Sequence, residues 1–310
     1  MSTKTPTVII GFGSQAKAWC HNFHLKKRPF RVALRKESSS LKEAQSLGYA
    51  TVELGPELNQ YNDFVLLIPD HLQAQVLLEI SSELREGARI VYAHGYALTR
   101  HKLAEQHPTF SHLLFAPKAI ANAIRETGLG RNSFKAVIGL EYSKSFEFDH
   151  DWLVNLAKDL FCDLPLIQSS AKEEMTADLF SEQSLLCSLI PYGALHSFNF
   201  LVGKGISPDV AYIECWKEVK LIADAMISKG PRGLFELISP TALVGGERAK
   251  NILFDQNYEQ KLQKIYDDIE SGQFFQEFDN LDPQQCRATV LSEWQKEAIN
   301  AMHNKWSKDK

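Results

Sequence analysis

"TVIIGFGSQA", residues 7–16, decides the fold. A β-branched run (7–13) reads as a buried strand, turns on Gly11 and Gly13, and passes straight into a helical pattern over 14–26. Strand, tight glycine turn and helix in immediate succession make the opening unit of a parallel α/β sheet. Glycines in that turn let the backbone close on a pyrophosphate, and the helix N-terminus with its dipole favours the charge. Ala16 stands where GxGxxG has its third glycine and is still small enough for close helix–strand packing. The same residues could make a bare turn with no ligand.

Working outward, "FRVALR" (30–35), "DFVLLIP" (63–69), "ARIVYAH" (88–94), "HLLFAPK" (112–118) and "FKAVIGL" (134–140) read as further strands, with helical patterns at 71–85 and 98–106. Strands alternating with helices imply a doubly wound parallel sheet covered on both faces. Near "LPLIQSSAKEE" (164–174) the pattern changes to long amphipathic segments, roughly 172–204, 208–229, 246–272 and 289–306. Ser170 with Glu173 resembles a capping box at the start of the first. The expectation is a Rossmann-like α/β domain over 1–170 and an all-helical domain over 171–310.

A chain of 310 residues with 44% hydrophobic and 23% charged residues has the composition of a globular protein with a sizeable core. The net charge of -4 gives no electrostatic reason to expect nucleic acid or an anionic membrane as partner. No apolar run approaches the ~20 residues of a membrane span, and the N-terminus lacks a signal-peptide layout. Five scattered cysteines without a CxxC pair read as reduced thiols of a cytoplasmic protein.

The end of the second strand refines the nucleotide. A site for NAD usually has an acid there, on the ribose 2′-hydroxyl. This chain has "LRKESSS", with Arg35 on the strand end and Ser38, Ser39 and Ser40 after it. Guanidinium and hydroxyls suit a 2′-phosphate, hence NADP(H). The competing reading is a solvated basic turn, with Glu37 diluting it.

The helical half carries two acid pairs, Asp178 with Glu182 in "TADLFSEQSLL" and Glu214 with Glu218 in "AYIECWKEVKLI". Four residues apart on a helix means one face, where like charges repel by a few tenths of a kcal/mol. A hard divalent cation turns that penalty into a site, since Mg²⁺ takes oxygen ligands. The bland alternative is two solvated helix shoulders.

Together these motifs resemble the ketol-acid reductoisomerase (acetohydroxyacid isomeroreductase) family in its short form, over roughly 7–275. "GFGSQ" is similar to the family's nucleotide turn, "LRKESSS" to its 2′-phosphate loop and "IPDHLQAQV" to the segment after the fourth strand; "AHG" (93–95), "APK" (116–118), "KEEMTADLFSEQSLLC" and "AYIECWKEVKLIADAMISKG" follow in family order. The resemblance implies cofactor contacts from Gly11, Phe12, Gly13, Ser14, Gln15, Arg35, Ser38, Ser40, Asp70 and Gln73. It implies two Mg²⁺ ions, with Asp178 bridging, Glu182 on the first, and Glu214 and Glu218 of a homodimer partner on the second. His94 and Lys118 would lie near the nicotinamide as catalytic residues beside Glu218, and Ser239 would bind the substrate carboxylate. The implied reaction, part of branched-chain amino-acid biosynthesis, is alkyl migration in a 2-acetohydroxy acid and then NADPH-linked reduction to a 2,3-dihydroxy acid.

Two stretches depart from the family. "AIAN" (119–122) stands where a glycine–proline–glycine–histidine turn is usual, and Ser239 is followed by "PTALVGG" in place of an acid and an aromatic. Beyond 275 the tail matches poorly. All metal ligands are kept, so the pattern is that of a divergent member. The alternatives are an NADP-dependent reductase of another small keto or hydroxy acid without the isomerase step, and a non-catalytic nucleotide-binding paralogue.

Overall fold

The computed structural model describes residues 5–307; residues 1–4 and 308–310, the outer ends of the two expected domains, lie outside it. The chain divides after Met175 into two compact units.

The first unit runs β1 Thr7–Ile10, α1 Ser14–Leu25, β2 Phe30–Leu34, α2 Ser40–Ser46, β3 Thr51–Glu53, β4 Asp63–Leu66, α3 Asp70–Ile80, β5 Arg89–Tyr92, α4 Tyr96–Arg100, α5 Leu103–Gln106, β6 Ser111–Pro117, α6 Ala121–Thr127, β7 Ala136–Tyr142, α7 Phe146–Asp159, β8 Ile167–Gln168 and the start of α8 Ala171–Ser181. The strands form one sheet in the order β3-β2-β1-β4-β5-β6-β7-β8. Order reverses between β1 and β4, where Ile10 pairs with Ala33 on one side and Leu66 on the other. Such a switch point opens a crevice at the strands' carboxyl ends.

Side-chain alternation along β1 supplies both faces of the core. Ile9 packs with Trp19, Phe23 and Phe115, whereas Val8 and Ile10 pack with Leu77, Ile80 and Tyr92. Between β5 and β6 the Tyr92 hydroxyl lies 3.0 Å from His112 Nδ1, and His112 Nε2 lies 2.9 Å from the His107 carbonyl. The carbonyl can only accept, so Nε2 bears the proton and Nδ1 accepts from the phenol. Burial pushes the His112 pKa down to about 4.

The sheet is not wholly parallel, because β7 runs antiparallel to β6. Lys118 N donates to Lys135 O at 2.8 Å, so the excursion through α6 closes on itself at the carboxyl edge and the chain must run back down. Asn22 on α1 pins that excursion, donating from Nδ2 to Ile124 O at 2.8 Å and Leu160 O at 3.1 Å.

The second unit holds α9 Leu189–Gly203, α10 Pro208–Tyr212, α11 Glu218–Leu237, α12 Pro240–Leu253, α13 Gln256–Glu270, α14 Gln273–Asp279, α15 Pro283–Lys296 and α16 Ala298–Trp306. The regular helices expected over 172–204 and 208–229 are each broken by one π-turn, Glu182–Leu186 and Ile213–Lys217. A π-turn carries an i→i+5 bond, here Cys187 N to Glu182 O at 2.9 Å. The expected 246–272 and 289–306 also split: Asp255 caps α13 through Tyr258 N at 3.0 Å, and α15 starts earlier, with Pro283 in its first turn and Asp282 capping. Gly230 and Pro231 kink α11.

One further expectation is corrected. The helical stretch Ala171–Gly203 is long and apolar enough, by length and composition alone, to cross a membrane. Read as residues 172–204 its four acids hid this, because they all fall in its N-terminal part and leave "LLCSLIPYGALHSFNFLVG" (185–203) nearly free of charge.

Candidate functional site

Five strand ends at the carboxyl edge deliver nearly every residue singled out in the first unit: Gly11 after β1, Arg35 after β2, Asp70 after β4, His94 after β5 and Lys118 after β6.

Gly11 has φ +101°, and a Cβ there would meet Ile68 Cγ2 and Leu67 O at 2.6 Å each. Only glycine allows this close approach of the β1 and β4 ends. Gly13 precedes α1 with open space where a Cβ would project. Phe12 is buried, and Ser14 is exposed at the first position of α1. Gln15 Nε2 donates to Ala119 O at 3.3 Å, tying the turn to the "AIAN" stretch, whose Ile120 is 75% exposed.

Beside the turn lies a cavity of about 420 Å³. Leu54, Ile68, Leu72 and Val76 give it apolar walls, while Arg35, Ser38 and Ser39 give it donors and Glu37 a carboxylate. Ser40 opens α2 and donates its N–H to Ser38 Oγ at 3.3 Å. Asp70 opens α3, and buried Gln73 donates from Nε2 to Asp70 Oδ1 at 3.0 Å and Ile68 O at 3.2 Å. These residues fit a 2′-phosphorylated dinucleotide: a glycine turn at a helix start, an apolar slot and a guanidinium beside hydroxyls.

At the neighbouring strand ends a carboxylate that the sequence reading passed over takes the central place. Glu174 on α8 has a fully buried side chain. Its Oε2 accepts from Gly95 N at 2.7 Å, its Oε1 forms an ion pair with Lys118 Nζ, and Oε2 lies 3.8 Å from His94 Nε2. His94 Nδ1 is 3.9 Å from Asp70 Oδ2. The start of α8 makes this possible. Ala171 N donates to Glu141 Oε1 at 2.6 Å, Glu173 N to Ser170 Oγ at 3.1 Å, and a Cβ on Gly95 would strike Ala171 O. The capping box is thus half formed, since the Glu173 carboxylate takes the Ser169 hydroxyl instead. A signal for Glu174 was present: an acid amid "AKEEMTADLF", on the side of α8 shared with Ala171 and Met175, all three buried.

In the second unit both acid pairs adjoin the π-turns: Glu182 opens one, Glu214 lies within the other, and Glu218 follows it directly. Their field is felt locally. The Cys187 thiol pKa is raised by burial, then by Glu182 and Asp178, and that of Cys215 by burial, then by Glu214. Among the described residues Glu214 and Glu218 have no cationic side chain within ion-pair distance. Carboxylates so placed suit a hard cation. Ser239 is the N-cap of α12, accepting from Ala242 N at 3.2 Å. All five cysteines are unbridged.

Comparison with known proteins follows this division. The family profile described as acetohydroxy acid isomeroreductase, NADPH-binding domain, matches residues 2–151, and that of ketol-acid reductoisomerase, C-terminal domain, matches 171–309. The chain is 32% identical to a ketol-acid reductoisomerase (NADP(+)) of Helicobacter acinonychis over 273 residues, 87% of this chain and 82% of that protein. It is 29% identical to the Sulfolobus acidocaldarius enzyme of the same name over 299 residues, covering 96% and 89%. Among solved structures, an NADH-preferring ketol-acid reductoisomerase from an uncultured archean superposes with a TM-score of 0.88 at 18% identity, over 99% of this chain and 95% of that one.

Proposed function

The chain belongs to the ketol-acid reductoisomerase family, and from that premise we propose that it isomerises a 2-acetohydroxy acid by alkyl migration and reduces the product to a 2,3-dihydroxy acid with NADPH and Mg²⁺. The observation that carries the reading is the buried Glu174, clamped between Gly95 N–H and Lys118 at the strand ends beside the glycine turn.

When bound, two magnesium ions would polarise the ketone and hydroxyl and the nicotinamide would supply hydride. The chain's own groups do the rest. Asp178, Glu182, Glu214 and Glu218 would hold the ions, the last two from a partner copy, and Ser239 would hold the substrate carboxylate. Lys118 Nζ, held beside Glu174 Oε1, offers a proton to an oxygen that gains negative charge. Glu174 keeps Lys118 oriented, and His94 closes the edge between Glu174 and Asp70. The apolar walls around Val76 exclude water from the nucleotide's adenine end.

The second unit supports a homodimer. Helices α11 and α12 bury no side chain among the described residues, although Leu221, Ile222, Leu243 and Val244 lie on them. Apolar helix faces of this extent are covered by a partner, and an isologous pair of copies is the simplest cover. The same need accounts for the apolar Ala171–Gly203 stretch without a membrane. We assign the enzyme to the cytoplasm.

Two substrates test the reading. Turnover of both 2-acetolactate and the rearranged 3-hydroxy-3-methyl-2-oxobutanoate supports it. Turnover of the second alone leaves a reductase without the isomerase step, and turnover of neither rejects it.

A further inference from the structure

Arg35 does not face the nucleotide cleft alone. Its Nη2 donates to Glu79 Oε2 at 3.0 Å, and Glu79 Oε1 accepts from Gln75 Nε2 at 2.9 Å. Gln75 lines the cleft, and Glu79 lies one turn further along α3, so both carboxylate oxygens have a partner, one of them the guanidinium. Arg35 and Glu79 remain open to water, at 62% and 43% side-chain exposure.

We infer that Glu79 is a specificity-determining residue that acts through Arg35, setting how strongly the site favours a 2′-phosphate over a 2′-hydroxyl. The inference rests on the nucleotide reading of the cleft.

An unengaged guanidinium would offer its whole charge to an arriving phosphate. Paired with Glu79 it offers almost none at a distance, and the phosphate must approach a second negative charge to reach it. A ribose 2′-hydroxyl carries no charge and is not repelled by a carboxylate, which can accept its hydrogen bond. The Glu79 charge therefore opposes the phosphorylated ribose only.

A second effect has the opposite sign. Glu79 also holds Arg35 in place, and releasing it costs order. That contribution is small, because a solvated ion pair barely restrains its side chains. The repulsion is larger, since a phosphate monoester carries about 1.5 to 2 negative charges at neutral pH. Repulsion wins, and Glu79 tempers the preference for NADP. Glu37 in the cleft lining adds to it.

The test uses the full chain and two probes, 2′,5′-ADP and ADP, with binding measured by calorimetry for the parent, Glu79→Gln, Arg35→Ala and the double variant. Glu79→Gln is expected to tighten 2′,5′-ADP by about three- to tenfold while ADP changes by less than about twofold. In the Arg35→Ala background that gain should shrink, because without the guanidinium the phosphate no longer docks beside Glu79 and no cationic charge is left to offset. An equal change for both probes, a weaker 2′,5′-ADP complex, or a gain undiminished without Arg35 would overturn the inference and leave the nucleotide reading standing. If the parent binds neither probe, the nucleotide reading falls and takes the inference with it.

Discussion

The backbone N–H of Gly95 sits 2.7 Å from Glu174 Oε2, and this one bond ties the end of β5 to the first turns of α8. Glycine is obligatory there because Ala171 O occupies the position of a Cβ. The carboxylate so held is buried, whereas its partner Lys118 is one-third exposed.

That asymmetry orders two variants. Lys118→Met leaves a buried charge without its ammonium partner, and should cost about 2–3 kcal/mol in urea unfolding. Glu174→Gln keeps an acceptor for Gly95 and lets the ammonium turn to water, at about 1 kcal/mol. Both should lower kcat, but equal or reversed stability costs would refute the burial argument.

Gly11→Ala combines a left-handed φ with backbone and side-chain contacts of 2.6 Å. A loss of about 3 kcal/mol or more is expected, with 2′,5′-ADP binding abolished. Retention of both would mean that the β1 turn is not what closes on the nucleotide.

Magnesium should raise the parent's melting temperature, because a ligand of the native state stabilises it by about 2.7 kcal/mol at a hundredfold excess over Kd. Asp178→Asn should remove that response and the isomerase activity, with 2′,5′-ADP affinity unchanged; Glu218→Gln should do likewise. If Asp178→Asn responds to magnesium as the parent does, the acid pairs are solvated helix surface.

His112 supplies a pH dependence. Its folded pKa of about 4 lies below the ordinary 6.5, so the unfolded chain binds the proton first. Stability linked to this group is complete above pH 6.5 and is lost as pH falls towards 4, to the extent of about 3 kcal/mol. Burial also lowers the His107 pKa, so the readout is the difference between parent and His112→Gln. Parallel stability curves would rule the linkage out.

The bare faces of α11 and α12 predict association. Light scattering at micromolar concentration should give at least twice the 35.0 kDa chain mass, and a monomer there would reject the dimer. Leu221→Glu with Ile222→Glu, both exposed in the single chain, should yield that monomer.

Much of the first unit could be read from periodicity. Each long buried run became a strand, and the strand-end residues Gly11 and Arg35 came with it, because motifs there lie next to their element in sequence; His94 and Lys118 came from the family resemblance. Strands β3 and β8 escaped notice since three- and two-residue edges carry almost no pattern. The direction of β7 escaped because it depends on where Lys135 meets Lys118, a contact that no local pattern encodes. Glu174 was overlooked for a related reason. Its role comes from Gly95, 79 positions away in the chain, while its own helix offers several acids that look alike.

The π-turns carry a consequence for geometry of assembly. Each acts as a single inserted residue, and one residue turns an α-helix by about 100°. Everything beyond Leu186 is therefore rotated relative to Asp178, and everything beyond Lys217 relative to Tyr212. Each following helix therefore offers its neighbours a different face from the one that an uninterrupted α-helix would present. Deleting Ser184 or Cys215 would leave composition almost untouched, yet turn the remaining helix about its axis like a key in the wrong slot.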